Sequence, residues 1–275
     1  MADNLSDLTR PRLMAILNAT PDSFSDGGLL FENNRIDLSM VKYRVESMVE
    51  QGADIIDIGG ESTRPGAQAV SLQEEMDRVI PVVEWVAKNC EVAVSVDTSA
   101  PEVMREAAGK GAGLINDVRA LSRSNALEVA AEVGLPVCLM HMRGSPGDMQ
   151  VSPAYEGVVA DVSQFLQQRI IACVDAGIAK GNIWIDPGFG FGKTLEHNLI
   201  LLRQMPDLVS LGFPVLAGFS RKSMIGQLLG REVGDRLPGS LALAMMALER
   251  GAKVLRVHDV SATRDVIDTF VAVNA

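Results

Sequence analysis

Cysteine, positive charge and long apolar runs are all scarce in this chain, and each scarcity closes off a class of protein. The three cysteines, Cys90, Cys138 and Cys173, lie far apart, with no C-x-x-C pair and no histidine at zinc spacing. Two of them fall in apolar strand or helix patterns and read as small core residues, and the set fits a reducing, cytoplasmic compartment. Lys and Arg number 25 against 35 Asp and Glu, a net charge of −10. A nucleic acid bound through a basic surface is therefore not expected. An anionic substrate would need a local cationic cluster or a metal ion. No stretch reaches the roughly 18 apolar residues of a membrane span, so no membrane partner is expected. The opening MADNLSDLTRPR is polar and acidic, unlike a signal peptide.

What is present is a rhythm. The chain has 275 residues, 47% hydrophobic and 22% charged. That is a soluble globular balance, and no shift in composition marks a boundary, so residues 1–275 read as one domain. Eight times a short apolar run ends in a polar cluster and a helical stretch follows. The runs are LMAIL into Asn18, DIIDIGGE into Ser62-Thr63-Arg64, VAVSV into Asp97, and GLI into Asn116-Asp117. They continue with PVCLM into His141, NIWI into Asp186, FPVLAGF into Ser220-Arg221-Lys222, and KVLRV into His258-Asp259. Alternating strands and helices imply a parallel sheet. Eight units favour an α/β protein, a single (β/α)8 TIM barrel with its active site at the C-terminal ends of the strands. An open doubly wound sheet is the alternative.

The helices have their own signals. Ile36, Leu38, Val41, Val45, Met48 and Val49 fall at helical spacing over 35–51 and stop before Gly52. Ser71 with Glu74 forms a capping box, and Pro101 suits a first helical turn. The longest helical pattern is 156–176. Residues 239–250, GSLALAMMALER, are apolar on nearly all sides. Such a helix is either packed under its neighbours or part of a subunit interface.

Several loops carry candidate chemistry. The segment 18–28, NATPDSFSDGG, is long for a strand-to-helix loop. A calcium loop is excluded, because Phe24 and Asn33 stand where the third and twelfth ligands belong. A lid over the site fits better. In 59–66, GGESTRPG, the glycines let backbone approach a ligand and Arg64 offers a guanidinium to an anion. The stretch DPGFGFGKT at 186–194 imitates a Walker A loop, but only three residues separate Gly188 from Gly192 and Pro187 replaces the first glycine. What remains is a glycine-rich turn with two aromatics beside a carboxylate, a slot for a flat ring. GFSRKS at 218–223 opens a short helix, 223–230, with a hydroxyl and two cations, an anion site of the kind barrels place after their last strands. Arg256 and His258 add to that side, while Asp97, Asn116 and Asp186 come from strands 3, 4 and 6. The division suggests a polar heterocycle in the middle and phosphates at one edge. His141 is open between a structural and a functional role, and His197 sits within a helix pattern, on the surface.

Taken together, ILNATPDSFSDGG, GADIIDIGGESTRPGA, SVDTS, IND, LMHM, DPGFGFGK, SRKS and RVHDV resemble dihydropteroate synthase, from about Leu13 to Val260. Ala15 and Ala19 depart from the usual Gly and Val at apolar positions. The resemblance implies a (β/α)8 barrel joining 6-hydroxymethyl-7,8-dihydropterin diphosphate to 4-aminobenzoate with Mg²⁺, releasing pyrophosphate. It implies catalytic roles for Asp97, Asp186 and Lys222, and pterin contacts from Asp97, Asn116, Met140, Asp186, Phe191, Lys222 and Arg256. Asn18, Arg64, Arg256 and His258 would contact pyrophosphate, Asn18 also the metal. Phe24, Thr63, Pro65, Phe191, Arg221 and Ser223 would face 4-aminobenzoate. The family chemistry is dissociative, so Asp97 would stabilise a pterin cation while the loops at 18–34 and 61–70 exclude water. Inhibition by sulfonamides and a homodimer through 239–250 are implied as well. Two rivals are a methyltetrahydrofolate:corrinoid methyltransferase and a catalytically dead pterin-binding protein. The intact SFSDGG, STRP and SRKS segments argue against the first, and retention of every polar group against the second.

Overall fold

The computed structural model of the protein describes residues 5, 7–20, 31–32, 35–62, 70–144, 149 and 153–275. All eight apolar runs form parallel strands: β1 (Arg12–Asn18), β2 (Ile55–Gly59), β3 (Ala93–Asp97), β4 (Leu114–Asp117), β5 (Val137–Met140), β6 (Ile183–Asp186), β7 (Leu216–Ala217) and β8 (Val254–Val257). Their order is β6-β5-β4-β3-β2-β1-β8-β7. The sheet closes where Ile185 bridges Val215 and its N–H donates to the Pro214 carbonyl at 2.9 Å. The result is a (β/α)8 barrel, and the open sheet is excluded.

Strand side chains alternate between two faces, and here both faces are buried. The outward set, among it Leu13, Ala15, Leu17, Ile56, Ile58, Val94 and Val96, packs against the helices in the main core. The inward set begins with one residue from each strand: Met14, Ile55, Ala93, Leu114, Cys138, Trp184, Leu216 and Val254. These form a second apolar cluster, with Leu5 and Leu8 packed against it. Two positions further along, the inward phase reaches Ile16, Asp57, Ser95, Asn116, Met140, Asp186, Gly218 and Arg256. The barrel is therefore dry at its base and polar toward the strand ends, and that change of chemistry places the site.

The helices are α1 (Leu38–Glu50), α2 (Leu72–Asn89), α3 (Pro101–Gly109), α4 (Ala126–Val133), α5 (Val158–Asp175), α6 (Leu195–Arg203), α7 (Met205–Val209), α8 (Ser223–Leu229), α9 (Leu237–Glu249) and α10 (Val260–Val273). Ser71 and Glu74 make the reciprocal capping box, and Pro101 occupies the first turn of α3. Some limits differ from the expected ones. The helix expected over 35–51 starts at Leu38, because the Asp37 carboxylate accepts from the N–H of Ser39 at 2.8 Å. Arg35–Ile36 instead pairs with Phe31–Glu32 in a two-residue hairpin. The pattern over 156–176 yields α5, which at 18 residues only equals α2. The run FPVLAGF gives just two strand residues, since Pro214 has no N–H for a ladder.

α9 has an apolar composition but one buried stripe, Gly239, Ser240, Leu243, Ala244, Ala247 and Leu248. At Gly239 a Cβ would stand 2.5 Å from Ile225 Cγ2, so the glycine permits the close approach of α8. At the edge of that stripe, two turns on from Gly239, Met246 is 44% exposed.

The dry base gives a stability prediction. Trp184 is only 2% exposed and fills the barrel interior. Trp184→Ala should lower unfolding free energy by roughly 3–5 kcal/mol in denaturant titration, the range for truncating a buried aromatic. A loss below about 1 kcal/mol would show that this layer is not close-packed.

Candidate active site

Asp57 is the innermost charged group of the polar layer and is fully buried. Three donors converge on it: Ser95 Oγ at 2.6 Å, Asn116 Nδ2 at 3.1 Å and Arg256 Nε at 2.6 Å. A buried carboxylate is tolerated only when paired and hydrogen-bonded, and here it is both. Asp57 is not among the residues expected from the sequence. A signal did exist: counting in twos from Ile55 puts this aspartate on the inward face of an otherwise apolar strand.

Arg256 reaches further, its Nη2 donating to Asp97 at 2.7 Å. Burial would lower the guanidinium's pKa, but Asp57 and Asp97 outweigh it and the value is raised. Burial lifts Asp97 to about 7, with Arg256 pulling it down and Asp57 pushing it up. Asp186, at the end of β6, is also buried and raised by desolvation, with Lys222 opposing. Its Oδ1 accepts from the Gly188 N–H at 2.7 Å. Lys222 is drawn down to about 8 by burial while Asp186 supports its charge. Its Nζ donates to the Phe189 carbonyl at 2.5 Å and lies 4.6 Å from the centre of the Phe191 ring. Asn116 and Met140 are buried on the neighbouring inward positions.

The expected residues thus divide into groups. Asp97, Asn116, Met140, Asp186, Phe191, Lys222 and Arg256 converge on the strand ends. Asn18 ends β1 in register with Gly59, which pairs with Asp97. His258 lies over β8, where the Ser220 hydroxyl bridges its backbone N–H (3.1 Å) and its Nδ1 (3.0 Å). Arg221 is forked onto Asp259, with Nε 3.0 Å from Oδ2. Its backbone sits at φ 58°, a left-handed conformation costly for a side chain with a Cβ. Ser240 Oγ accepts its N–H at 3.1 Å and Arg236 donates to its carbonyl at 3.0 Å, which holds that shape. Ser223 opens α8 and is exposed. Phe24, Thr63, Arg64 and Pro65 lie outside the described residues, as does most of both expected lids.

Other polar residues have structural work. Asp117 faces outward and accepts from the N–H of Arg119 (2.8 Å) and of Leu121 (2.7 Å), which bridges the left-handed residues Ala120 and Leu121. His197 is half-buried rather than superficial, and it completes a capping box with Thr194 at the start of α6. His141 is buried, with Nδ1 2.9 Å from Lys193 Nζ.

Chemically, a buried carboxylate beside an amide and an ammonium suits a ring with paired N–H donors and a carbonyl. A second carboxylate nearby, backed by a guanidinium, suits positive charge that develops during reaction.

The pterin binding enzyme family profile matches residues 14–258. A dihydropteroate synthase from Haemophilus influenzae is 54% identical over 266 residues, covering 97% of this chain and 95% of that protein. Among solved structures, a Yersinia pestis dihydropteroate synthase with a sulfonamide drug superposes with a TM-score of 0.93 at 51% identity, covering 98% of this chain and 96% of the other. A Xanthomonas albilineans dihydropteroate synthase in complex with 7,8-dihydropteroate gives 0.86 at 48% identity, covering 98% and 95%.

Asp57→Asn should be costly despite its small change in shape. The amide offers one acceptor oxygen where two oxygens take three donors, and turns an NH₂ toward a donor. Thermal or denaturant unfolding should show a loss of roughly 2–4 kcal/mol. A variant as stable as the parent would show that Asp57 is not the anchor of Arg256.

Proposed function

The chain belongs to the pterin binding enzyme family and, within it, to the dihydropteroate synthases, and from that premise we propose how its residues divide the reaction. The enzyme is a transferase of folate biosynthesis. It condenses 6-hydroxymethyl-7,8-dihydropterin diphosphate with 4-aminobenzoate to give 7,8-dihydropteroate and pyrophosphate. One pterin-binding domain, residues 1–275, carries the activity.

The observation that carries the assignment of roles is the placement of Asp186 against Lys222 on one side of the strand ends, with Asn116 and the Arg256–Asp97 pair gathered around Asp57 on the other. Asp186 takes the amino-pyrimidine edge of the pterin, two N–H donors to two oxygens, each bond being worth about 1.5–3 kcal/mol. Asn116 and Lys222 meet the remaining ring nitrogens and carbonyl, and Met140 and Phe191 pack on the ring. Asn18, Arg64, Arg256 and His258 hold the diphosphate. Arg256 spends two bonds on Asp57 and Asp97, and a guanidinium with five N–H donors has others for the substrate.

The bond between the pterin methylene carbon and the diphosphate oxygen breaks first, the electron pair leaving with pyrophosphate. Asp97 stabilises the resulting cation, an interaction that gains strength only as the charge appears. The aromatic amine of 4-aminobenzoate, neutral at pH 7, attacks the carbon and then loses a proton. Phe24, Thr63, Pro65 and Phe191 form its slot. Arg221, held by Asp259, and Ser223 at the start of α8 flank its carboxylate. A sulfonamide, with an aniline ring and a polar group opposite the amine, occupies the same slot and competes with 4-aminobenzoate.

Among the described residues no group of three or more His, Cys, Asp or Glu is placed to hold a metal ion. Magnesium binds through hard oxygens and keeps most of its shell as water and substrate phosphate. The Asn18 side-chain oxygen fits that habit as a single protein ligand. A bound Mg²⁺ would neutralise charge on the departing pyrophosphate.

The exposed Met246 of α9, with exposed Leu228 and Leu229 on α8, supports a homodimer through this face. Leu248 is buried within the protomer and takes no part in it. No helix among the described residues is long and apolar enough to cross a membrane. Three free thiols support a reducing cytoplasm.

Turnover of pterin diphosphate and 4-aminobenzoate, read as dihydropteroate and pyrophosphate, tests the reading. Asp97→Asn should lower kcat by roughly 10²-fold with little change in pterin affinity. Asp97 works as a carboxylate and is raised to about 7 in the ligand-free protein, so kcat/KM of the parent should fall as pH drops through about 7, and the Asn variant should lack that acid limb. A variant within about threefold of the parent would remove Asp97 from the mechanism. Separately, Met246→Glu should shift sedimentation from dimer to monomer. A parent protein that is monomeric at micromolar concentration would overturn the dimer.

A further inference from the structure

Lys193 ends the glycine-rich loop after β6, where its Gly-Lys-Thr sequence imitates a phosphate-binding loop. The side chain points the other way, into the protein, and the residue is only 3% exposed. Its Nζ meets the Gly188 carbonyl at 2.9 Å, the Phe191 carbonyl at 3.0 Å and His141 Nδ1 at 2.9 Å, with the His141 carbonyl at 3.4 Å. Burial draws Lys193 down to about 7 while Asp186 supports its charge. The ammonium form has three protons, and three close acceptors take them, so this geometry favours the charged form. Burial and the nearby Lys193 charge draw His141 down to about 3, so its ring is neutral at pH 7 and Nδ1 can accept. Phe165 packs edge-on against that ring with centroids 5.0 Å apart.

The loop needs such a fastening. Gly188, Gly190 and Gly192 all have left-handed backbones, with φ of 67°, 82° and 61°. Glycine reaches these angles freely, and for the same reason it does not hold them. A Cβ at Gly188 would stand 1.9 Å from the His141 carbonyl oxygen, so the loop lies hard against the end of β5. From this loop come three contacts that set the pterin pair: the Gly188 N–H to Asp186, the Phe189 carbonyl to Lys222, and the Phe191 ring beneath Lys222.

We propose that Lys193, with His141 as its acceptor, is a positioning residue whose buried ammonium gathers the Gly188 and Phe191 carbonyls and so holds the loop that aims Asp186 and Lys222 at the pterin. This rests on the assignment of Asp186 and Lys222 to the pterin made under Proposed function. The ammonium acts as an internal cation, doing for the loop what a bound metal does elsewhere. It touches no substrate.

The test compares the parent with Lys193→Met, which keeps length without charge, and Lys193→Gln, which keeps N–H donors. Pterin diphosphate affinity is measured by calorimetry and both KM values by turnover. Lys193→Met should weaken pterin binding about tenfold or more, equivalent to losing one good hydrogen bond, and Lys193→Gln less. The KM for 4-aminobenzoate should rise much less than pterin affinity falls, because of its expected contacts only Phe191 lies on this loop, a split that general loosening of the fold would not produce. Pterin affinity unchanged in Lys193→Met, or an equal rise in both KM values, would overturn the proposal. Should that variant not fold, His141→Phe keeps the ring and removes the acceptor. A smaller loss of pterin affinity is then expected, and none would overturn the proposal. If the parent itself does not bind pterin diphosphate, the functional assignment fails and this inference goes with it. A parent that binds, with variants that bind equally well, sinks the inference alone.

Discussion

Arg256 crosses from the last strand of the barrel to the second and third, and its two hydrogen bonds to Asp57 and Asp97 are the condition for most of what surrounds them. Carboxylates inside a barrel are expensive, because each leaves water for a medium that stabilises charge poorly. The guanidinium offsets that cost for both at once, its rigid fork presenting separate donors to each. With Asp57 so held, Ser95 and Asn116 have a fixed acceptor, and the amide of Asn116 cannot rotate freely. One charged cluster therefore supports the framework of the pocket and supplies the carboxylate proposed to act in it.

The sequence reading succeeded where local pattern and fold coincide. Largely apolar runs of three to eight residues with polar ends have few ways to fold other than as buried parallel strands, and the polar ends of those runs come together at one end of the barrel. Ser71 with Glu74 and Pro101 behaved as local rules require. The misses come from pairings that spacing does not encode. Arg256 and Asp57 are 199 residues apart and Arg221 and Asp259 are 38 apart, so neither bond could be read along the chain. Asp57 is hidden in a hydrophobic run, and Lys193 inside a motif that only imitates a phosphate-binding loop. β7 shrank to two residues because the one feature that mattered was the absent N–H of Pro214.

A chain of net charge −10 that handles a diphosphate must concentrate its cations. Arg256 and Lys222 sit in the barrel mouth, with His258 alongside, while the negative surface is spread elsewhere. Partial burial makes this work, since a charge in low dielectric is felt more strongly at short range than the diffuse field of the surface, which salt screens. Recognition of the anionic substrate is a matter of a few ångströms and not of the molecule's overall field.

The closure of the barrel has a mechanical meaning. Seven of its joints are ladders, and the eighth, between β6 and β7, is a single bridge at Ile185 and Val215. Asp186 follows directly on one side of that joint and Lys222 lies a few residues beyond the other. Phe189 and Lys222 already tie the two sides at their tops. A ring held between Asp186 and Lys222, as proposed, would add a second tie across the same gap. The pocket is thus a clasp on a hoop, and a ring bound in that way would tighten the one joint that the backbone fastens with a single bridge.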